Sequence, residues 1–217
     1  MTRGLNPDVP MKDSGIPWIG MIPAHWEINR NKVFLREKKS IVGSRTDFPL
    51  LSLTKEGVIL RDVESGKGKF PKDFESYKIV EPEDIIFCLF DVDETPRTVG
   101  LSSLSGMITG AYTIFEIHGI DKRFFYYTYL SIDDRKGLRP LYSGLRKVVN
   151  VDKFLSAKMP VPPIDEQRQI VEYIDSQTRV IGEYITSLEK EIEYLKEYKQ
   201  RLISDVVTGK VDVRDEA

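Results

Sequence analysis

The sequence predicts an α+β protein: a globular domain with a mixed or antiparallel sheet over residues 1–163, one long C-terminal coiled-coil helix over 164–208, and a tail over 209–217. Three observations carry this expectation. Short apolar or alternating runs bounded by turn residues recur between Leu50 and Ile117, which is the mark of strands. The proline-rich stretch Pro160-Val161-Pro162-Pro163 then ends that pattern. Beyond it an apolar residue returns every seven positions, with no proline and only one glycine, Gly182, between Asp165 and Val207.

Taken in order, Met11 to Trp26 holds Gly15, Pro17, Gly20 and Pro23 and reads as an extended, loop-like wrap anchored by Trp18, Ile19, Ile22 and Trp26. A short helix is expected from about Arg30, ending before Gly43. Leu50 to Thr54 and Gly57 to Arg61 read as strands across a tight turn, followed by strands at Tyr77–Val80, Ile85–Phe90, Val99–Leu101 and Tyr112–Ile117. Lys122 to Ser131 reads as a helix on that sheet. Its aromatics Phe124, Phe125, Tyr126, Tyr127 and Tyr129 surround the axis too fully to form a stacking platform and are read mainly as core.

The long helix spans roughly 60 Å at 1.5 Å per residue. One seam reads Val171, Thr178, Ile185, Ile192, Lys199 and Val206, and the other Ile174, Ile181, Leu188, Leu195 and Leu202. Glutamates and lysines fill the other faces, so each seam Leu or Ile left in water forgoes about 1.5–3 kcal/mol. The pattern therefore calls for a second helix, from another copy or another protein. Val171, Ile174, Ile181, Ile185, Leu188, Ile192, Leu195 and Leu202 are the candidate dimerisation residues, and Lys199 is a charged seam position that would fix register. Asp165 and Glu166 suit the positive end of the helix, and Gly209 with Lys210 suits its stop.

The net charge of −2 conceals a division: residues 1–164 carry 24 Lys plus Arg against 21 Asp plus Glu, and residues 165–217 carry 8 against 13. The globular part is the basic part. Its cations cluster at Arg36, Lys38 and Lys39, at Lys67, Lys69 and Lys72, and at Arg135, Lys136, Arg139, Arg146 and Lys147. Such a surplus is compatible with nucleic acid without identifying it. The single cysteine, Cys88, lies in an apolar run and permits no disulfide within the chain. With no apolar run of membrane-spanning length and no signal-peptide core, the expected location is the cytoplasm, without membrane association.

Catalytic groups are sparse. His25 and His118 lack a second ligand at useful spacing, and one cysteine makes no zinc set. Gly66-Lys67-Gly68-Lys69 lacks the spacing of a phosphate loop, and Asp91, Asp93 and Glu94 read as an acidic turn before they read as a cation site. No catalytic residue, metal site or cofactor site is expected.

Longer words are more specific. Lys12-Asp13-Ser14-Gly15-Ile16-Pro17-Trp18-Ile19-Gly20, continuing through Ile22-Pro23-Ala24-His25-Trp26-Glu27, resembles the start of a target-recognition domain in type I restriction-modification specificity subunits. Pro160-Val161-Pro162-Pro163-Ile164-Asp165-Glu166-Gln167-Arg168-Gln169-Ile170 resembles that family's approach to its spacer helix, and Leu202-Ile203-Ser204-Asp205-Val206-Val207-Thr208-Gly209-Lys210-Val211-Asp212-Val213 resembles the helix's exit. Thr2-Arg3-Gly4-Leu5-Asn6-Pro7-Asp8 resembles the linker after a first spacer helix, and the chain has one recognition domain and one helix where family members ordinarily have two of each.

The resemblance implies a half-length, non-catalytic subunit that reads double-stranded DNA and positions a modification (methyltransferase) subunit and a restriction subunit. S-adenosylmethionine and ATP then belong to those partners, and the chain is expected to form a homodimer or to pair with another half-subunit. Lys67, Lys69, Lys72, Arg97, Tyr142, Arg146 and Lys147 are the candidate DNA contacts. A recognition module for a type II-like methyltransferase, and a coiled-coil scaffold without DNA function, remain the alternatives.

Overall fold

The computed structural model describes residues 4–6, 8–17, 19–44, 47–61, 74–144 and 147–211. It divides into two units, Met1–Val171 and Glu172–Ala217. In the first, the N-terminal stretch is more regular than a loop-like wrap. Strands β1 (Met11–Asp13) and β2 (Met21–Pro23) pair antiparallel with Lys12 opposite Ile22. The turn between them is held by the Gly15 N–H on Asp13 Oδ1 at 2.9 Å and the Ser14 N–H on the Gly20 carbonyl at 3.0 Å. Ile16, Ile22 and Trp26 are buried; Trp18 lies outside the described residues.

Strand β3 (Glu27–Arg30) leads into one 3-10 turn, Asn31–Val33, and then strand β4 (Leu35–Lys38). The helix expected from Arg30 is therefore replaced by a strand. The cause is tertiary. Asn31 is fully buried, donates Nδ2–H to the Phe154 carbonyl at 2.7 Å and its backbone N–H to the Ala157 carbonyl at 3.0 Å, while β4 is claimed along its length by a strand some 80 positions later. Long-range pairing outweighs a local preference worth well under 1 kcal/mol per residue.

Strands β5 (Leu51–Thr54) and β6 (Gly57–Leu60) form the expected hairpin, with Thr54 opposite Gly57. Gly57 has φ +113°, a conformation for which glycine is suited. Strands β7 (Lys78–Val80), β8 (Ile85–Phe87) and β9 (Val99–Leu101) follow as expected, and β10 (Gly106–Ile108), unforeseen, pairs antiparallel with β7. Strand β11 (Thr113–Ile117) completes a four-stranded antiparallel sheet in the order β4-β11-β8-β9. Below its edge, Lys38 Nζ meets Asp84 at 2.8 Å and Glu81 at 2.6 Å. Burial alone would lower the Lys38 ammonium, but the two carboxylates outweigh it and hold it above its ordinary value.

Helix α1 (Lys122–Asp134) starts at Asp121, whose carboxylate accepts the Phe124 N–H at 2.8 Å. Phe124, Phe125 and Tyr129 are buried, whereas Tyr126 and Tyr127 are only partly so. After the short strands β12 (Tyr142–Ser143) and β13 (Val148–Val149) comes helix α2 (Val151–Ser156), capped by Asn150. Strand β14 (Lys158–Val161) pairs with β3. Phe154 stacks among Phe87, Phe115 and Tyr129 with ring centroids 4.5–5.7 Å apart, so the aromatic centre joins sheet, α1 and α2. A second core, Leu51, Val58, Val80, Ile86, Ile108 and Ile114, lies under the β5–β6 hairpin.

Helix α3 (Ile164–Val207) is continuous over 44 residues, as the sequence predicts. Its first two turns belong to the domain. Gln167 is buried, accepts the Asp121 N–H at 2.8 Å and donates Nε2–H to the Pro162 carbonyl at 2.8 Å. Ile170 and Val171 are buried too. Val171, expected to serve pairing between helices, is therefore spent on the domain's own core, because the seven-residue pattern cannot distinguish the two uses.

In the second unit the helix ends in a Schellman motif: the Lys210 N–H reaches the Asp205 carbonyl at 2.8 Å, the Gly209 N–H reaches Val206 at 3.1 Å, and Gly209 has φ +74°. Ile174 is half-buried. The expected pairing residues Ile181, Ile185, Leu188, Ile192, Leu195 and Leu202 are all exposed, from 42% at Leu188 to 60% at Leu195. No helix among the described residues is long and apolar enough to cross a membrane.

Candidate nucleic-acid interface

Two connections are tied together by charge: the β8–β9 loop, residues 88–98, and the described residues 135–144 and 147–149 that follow α1. Asp93 is the hub. Its carboxylate, 11% exposed, accepts from Arg139 Nε at 2.8 Å and from the Tyr142 hydroxyl at 3.3 Å, and it lies 3.4 Å from Lys147 Nζ. Lys147 also donates to Glu94 at 3.2 Å. The Arg139 hydrogen bond, with help from Lys147, holds the Asp93 carboxyl below its ordinary range; Asp93 holds Arg139 above its own in return, and Glu94 first, then Asp93, holds Lys147 above its own.

A second tie lies deeper. Asp133, 2% exposed, accepts the Thr98 N–H at 2.9 Å and meets Arg97 Nη1 and Lys136 Nζ at 3.3 Å each; Arg97 also bonds Asp134 at 2.7 Å, and Lys136 the Thr95 carbonyl at 2.8 Å. The Val149 N–H on the Leu89 carbonyl at 2.7 Å completes the seam. Of the four non-glycine residues with positive φ among the described residues, Asp91, Lys136 and Lys147 stand here. Backbone held in this sparsely populated region clusters where the surroundings over-determine it, often at binding surfaces.

Of the seven residues expected to contact DNA, Tyr142 and Lys147 meet at Asp93, and Arg97 sits beside them in the same loop pair. Arg97 is 17% exposed and bound to two carboxylates, so its place in the fold is to tie β9 to α1. Lys67, Lys69, Lys72 and Arg146 lie outside the described residues. Arg139, named from the sequence only as part of a basic cluster, is 61% exposed and belongs to this face. Its partner Asp93 carries a sequence signal, the acidic turn, but nothing in sequence pairs the two across 46 positions.

The groups considered for catalysis have structural partners. His25 Nε2 lies 2.7 Å from Glu166 Oε2, and the Trp26 indole N–H donates to Glu166 Oε1 at 3.0 Å, so the N-terminal motif clasps the first turn of α3. His118 lies 3.3 Å from Glu116. Cys88 is buried, and burial raises its thiol. Among the described residues no group of His, Cys, Asp and Glu is arranged to hold a metal ion.

Residues 106–194 match the family described as type I restriction modification DNA specificity domain. Over 103 residues the chain is 29% identical to the type I restriction enzyme MjaVIII specificity subunit of Methanocaldococcus jannaschii, covering 47% of this chain and 23% of that protein. The fold is similar to that of the HsdS subunit from Thermoanaerobacter tengcongensis, with a TM-score of 0.52, 17% identity, and coverage of 93% of this chain and 48% of that one. It is also similar to the type I restriction-modification S subunit from M. genitalium, with a TM-score of 0.52, 12% identity, and coverage of 92% and 47%. The chain thus spans less than half the length of each.

Proposed function

We propose, from the match of residues 106–194 to the type I restriction modification DNA specificity domain, that this chain is a DNA-recognition subunit of a type I restriction-modification enzyme. The family match is the observation that carries this reading. It runs from β10 through α1 and the loops of residues 135–149 into α3, and so takes in one side of the charged loop face together with the helix. A coiled-coil scaffold without DNA function leaves the matched part of the globular domain without a purpose.

On this reading the loops on the domain enter a groove, cations such as the exposed Arg139 and the partly buried Lys147 hold phosphates, and polar side chains read base edges. The exposed stripe of α3 pairs with a second helix, from another copy or another half-subunit. The chain itself performs no chemistry. Methyl transfer from S-adenosylmethionine and ATP-driven restriction are the work of separate modification and restriction subunits, which it positions on double-stranded DNA. Methylome mapping of cells carrying the chain with and without a cognate modification subunit tests this. Methylation at one defined motif, dependent on both chains, is expected. Methylation by the modification subunit with the same motif in the absence of this chain overturns the reading.

A further inference from the structure

Asp93 and Glu94 both meet Lys147, yet their settings differ. Asp93 is 11% exposed and also takes Arg139 and Tyr142, which makes it the anchor of the loop pair. Glu94 is 73% exposed and meets Lys147 at 3.2 Å from the solvent side. An ion pair so exposed adds little to stability. A carboxylate on a face that approaches phosphates is, however, an electrostatic liability, and Lys147 itself, 32% exposed, is held with its backbone at φ +47°.

Resting on the reading of this face as a DNA surface, we propose that Glu94 is a specificity-determining residue: it neutralises Lys147 while no cognate duplex is engaged and opposes phosphate contacts that base contacts do not reinforce. Binding to arbitrary sequence is driven almost wholly by the counterions released when cations meet phosphates. A lysine already neutralised within the protein condenses no phosphate contact until that pair opens, and opening it leaves Glu94 facing the backbone. Specificity is a difference between affinities, and an element that weakens the wrong complex serves it as well as one that strengthens the right complex. Asp93 lies closer to Arg139, at 2.8 Å, than to Lys147, at 3.4 Å, so Arg139 balances the charge of the anchor and Glu94, at 3.2 Å, is the carboxylate that balances Lys147.

The test is binding of the full chain to a fluorescein-labelled duplex of arbitrary sequence, followed by anisotropy across a salt series. Glu94→Gln should tighten binding about tenfold at low salt and steepen the slope of log K against log salt by about one unit. In a Lys147→Ala background the gain in slope should vanish. An unchanged affinity in Glu94→Gln, or a gain in slope that survives Lys147→Ala, overturns the role of Glu94 while leaving DNA recognition standing. Absence of binding by wild type and Glu94→Gln alike at low salt contradicts DNA recognition itself and this inference with it.

Discussion

Glu166 shows how much one side chain can do that spacing alone does not announce. From the sequence it is a negative charge near the positive end of a helix, and so is Asp165. In the fold its two oxygens take the Trp26 indole and the His25 ring, about 140 positions away, with the carboxylate only 20% exposed. Replacing it by alanine removes a charge-assisted bond and leaves the Trp26 N–H, on a ring 1% exposed, without its acceptor. We expect Glu166→Ala to cost about 1–2 kcal/mol in urea unfolding, and Glu166→Gln, which keeps an acceptor for Trp26, to cost clearly less. Equal losses would mean that charge near the helix end, and not the clasp, is what matters. Asp93 gives a pH-dependent counterpart. Arg139 and Lys147 hold its carboxyl below the ordinary value, so the folded pKa lies under the unfolded one. The stabilisation is then fully present above the unfolded carboxylate range, about pH 4, and is lost as pH falls through the lower folded value. Amide resonances of residues 91–95 and 139–142 should move together in that acid window, and Asp93→Asn should remove the transition at neutral pH and below. A transition that persists in Asp93→Asn belongs to other carboxylates.

At the scale of elements, what was legible followed from local pattern, and what was not followed from distant partners. The β5–β6 hairpin, β7, β8, β9, β11, α1 and α3 declare themselves through turn residues, apolar runs and helical or seven-residue periodicity. Strand β4 does not, because Leu35-Arg36-Glu37-Lys38 is good helix sequence and becomes a strand only beside β11. Strand β10 opens on Gly106, a residue depleted in strands, and takes its place by pairing with β7, some 28 positions earlier. The charged loop cluster was legible to the extent that Tyr142 and Lys147 fall in one basic stretch; its organisation around Asp93 was not, since the ties cross some 50 positions between loops. The glycine in β10 has a specific reason to be there. A Cβ on Gly106 would lie 2.5 Å from the Pro49 carbonyl oxygen and 2.7 Å from Leu51 Cγ, where the Met107 N–H bonds that same carbonyl at 2.8 Å. Backbone cannot yield there as a side-chain end can. Gly106→Ala is therefore expected to lower stability by about 1–3 kcal/mol in thermal or denaturant unfolding. A neutral result would show that the chain around Pro49 shifts freely, and that the packing of β10 on the residues before β5 is looser than these distances imply.

For the molecule as a whole, the decisive contrast is between a domain with a closed aromatic centre and a helix whose seam residues from Ile181 to Leu202 stand in water. Each such Leu or Ile buried between helices would contribute about 1.5–3 kcal/mol, so the proposed pairing has a driving force that the single chain leaves unused. Two copies paired through antiparallel helices present identical reading surfaces related by a two-fold axis. Identical surfaces so related select the same short sequence on opposite strands, and the target is then an interrupted palindrome. In such a pair the length of the helix would set the interruption. One helical turn adds about 5.4 Å, more than one base-pair step at about 3.4 Å, so inserting or deleting a heptad near Leu188 keeps the seam in phase while moving the two surfaces along the duplex. Methylome mapping with the modification subunit should show the same half-sites at a changed spacing in these variants. Half-sites that change with helix length, or an asymmetric target from a homodimer established by sedimentation, would contradict the two-fold arrangement. An asymmetric target that requires a second, different specificity chain would instead assign this stripe to a heterodimer, with the helix still acting as the ruler and each chain contributing one half of the sequence read.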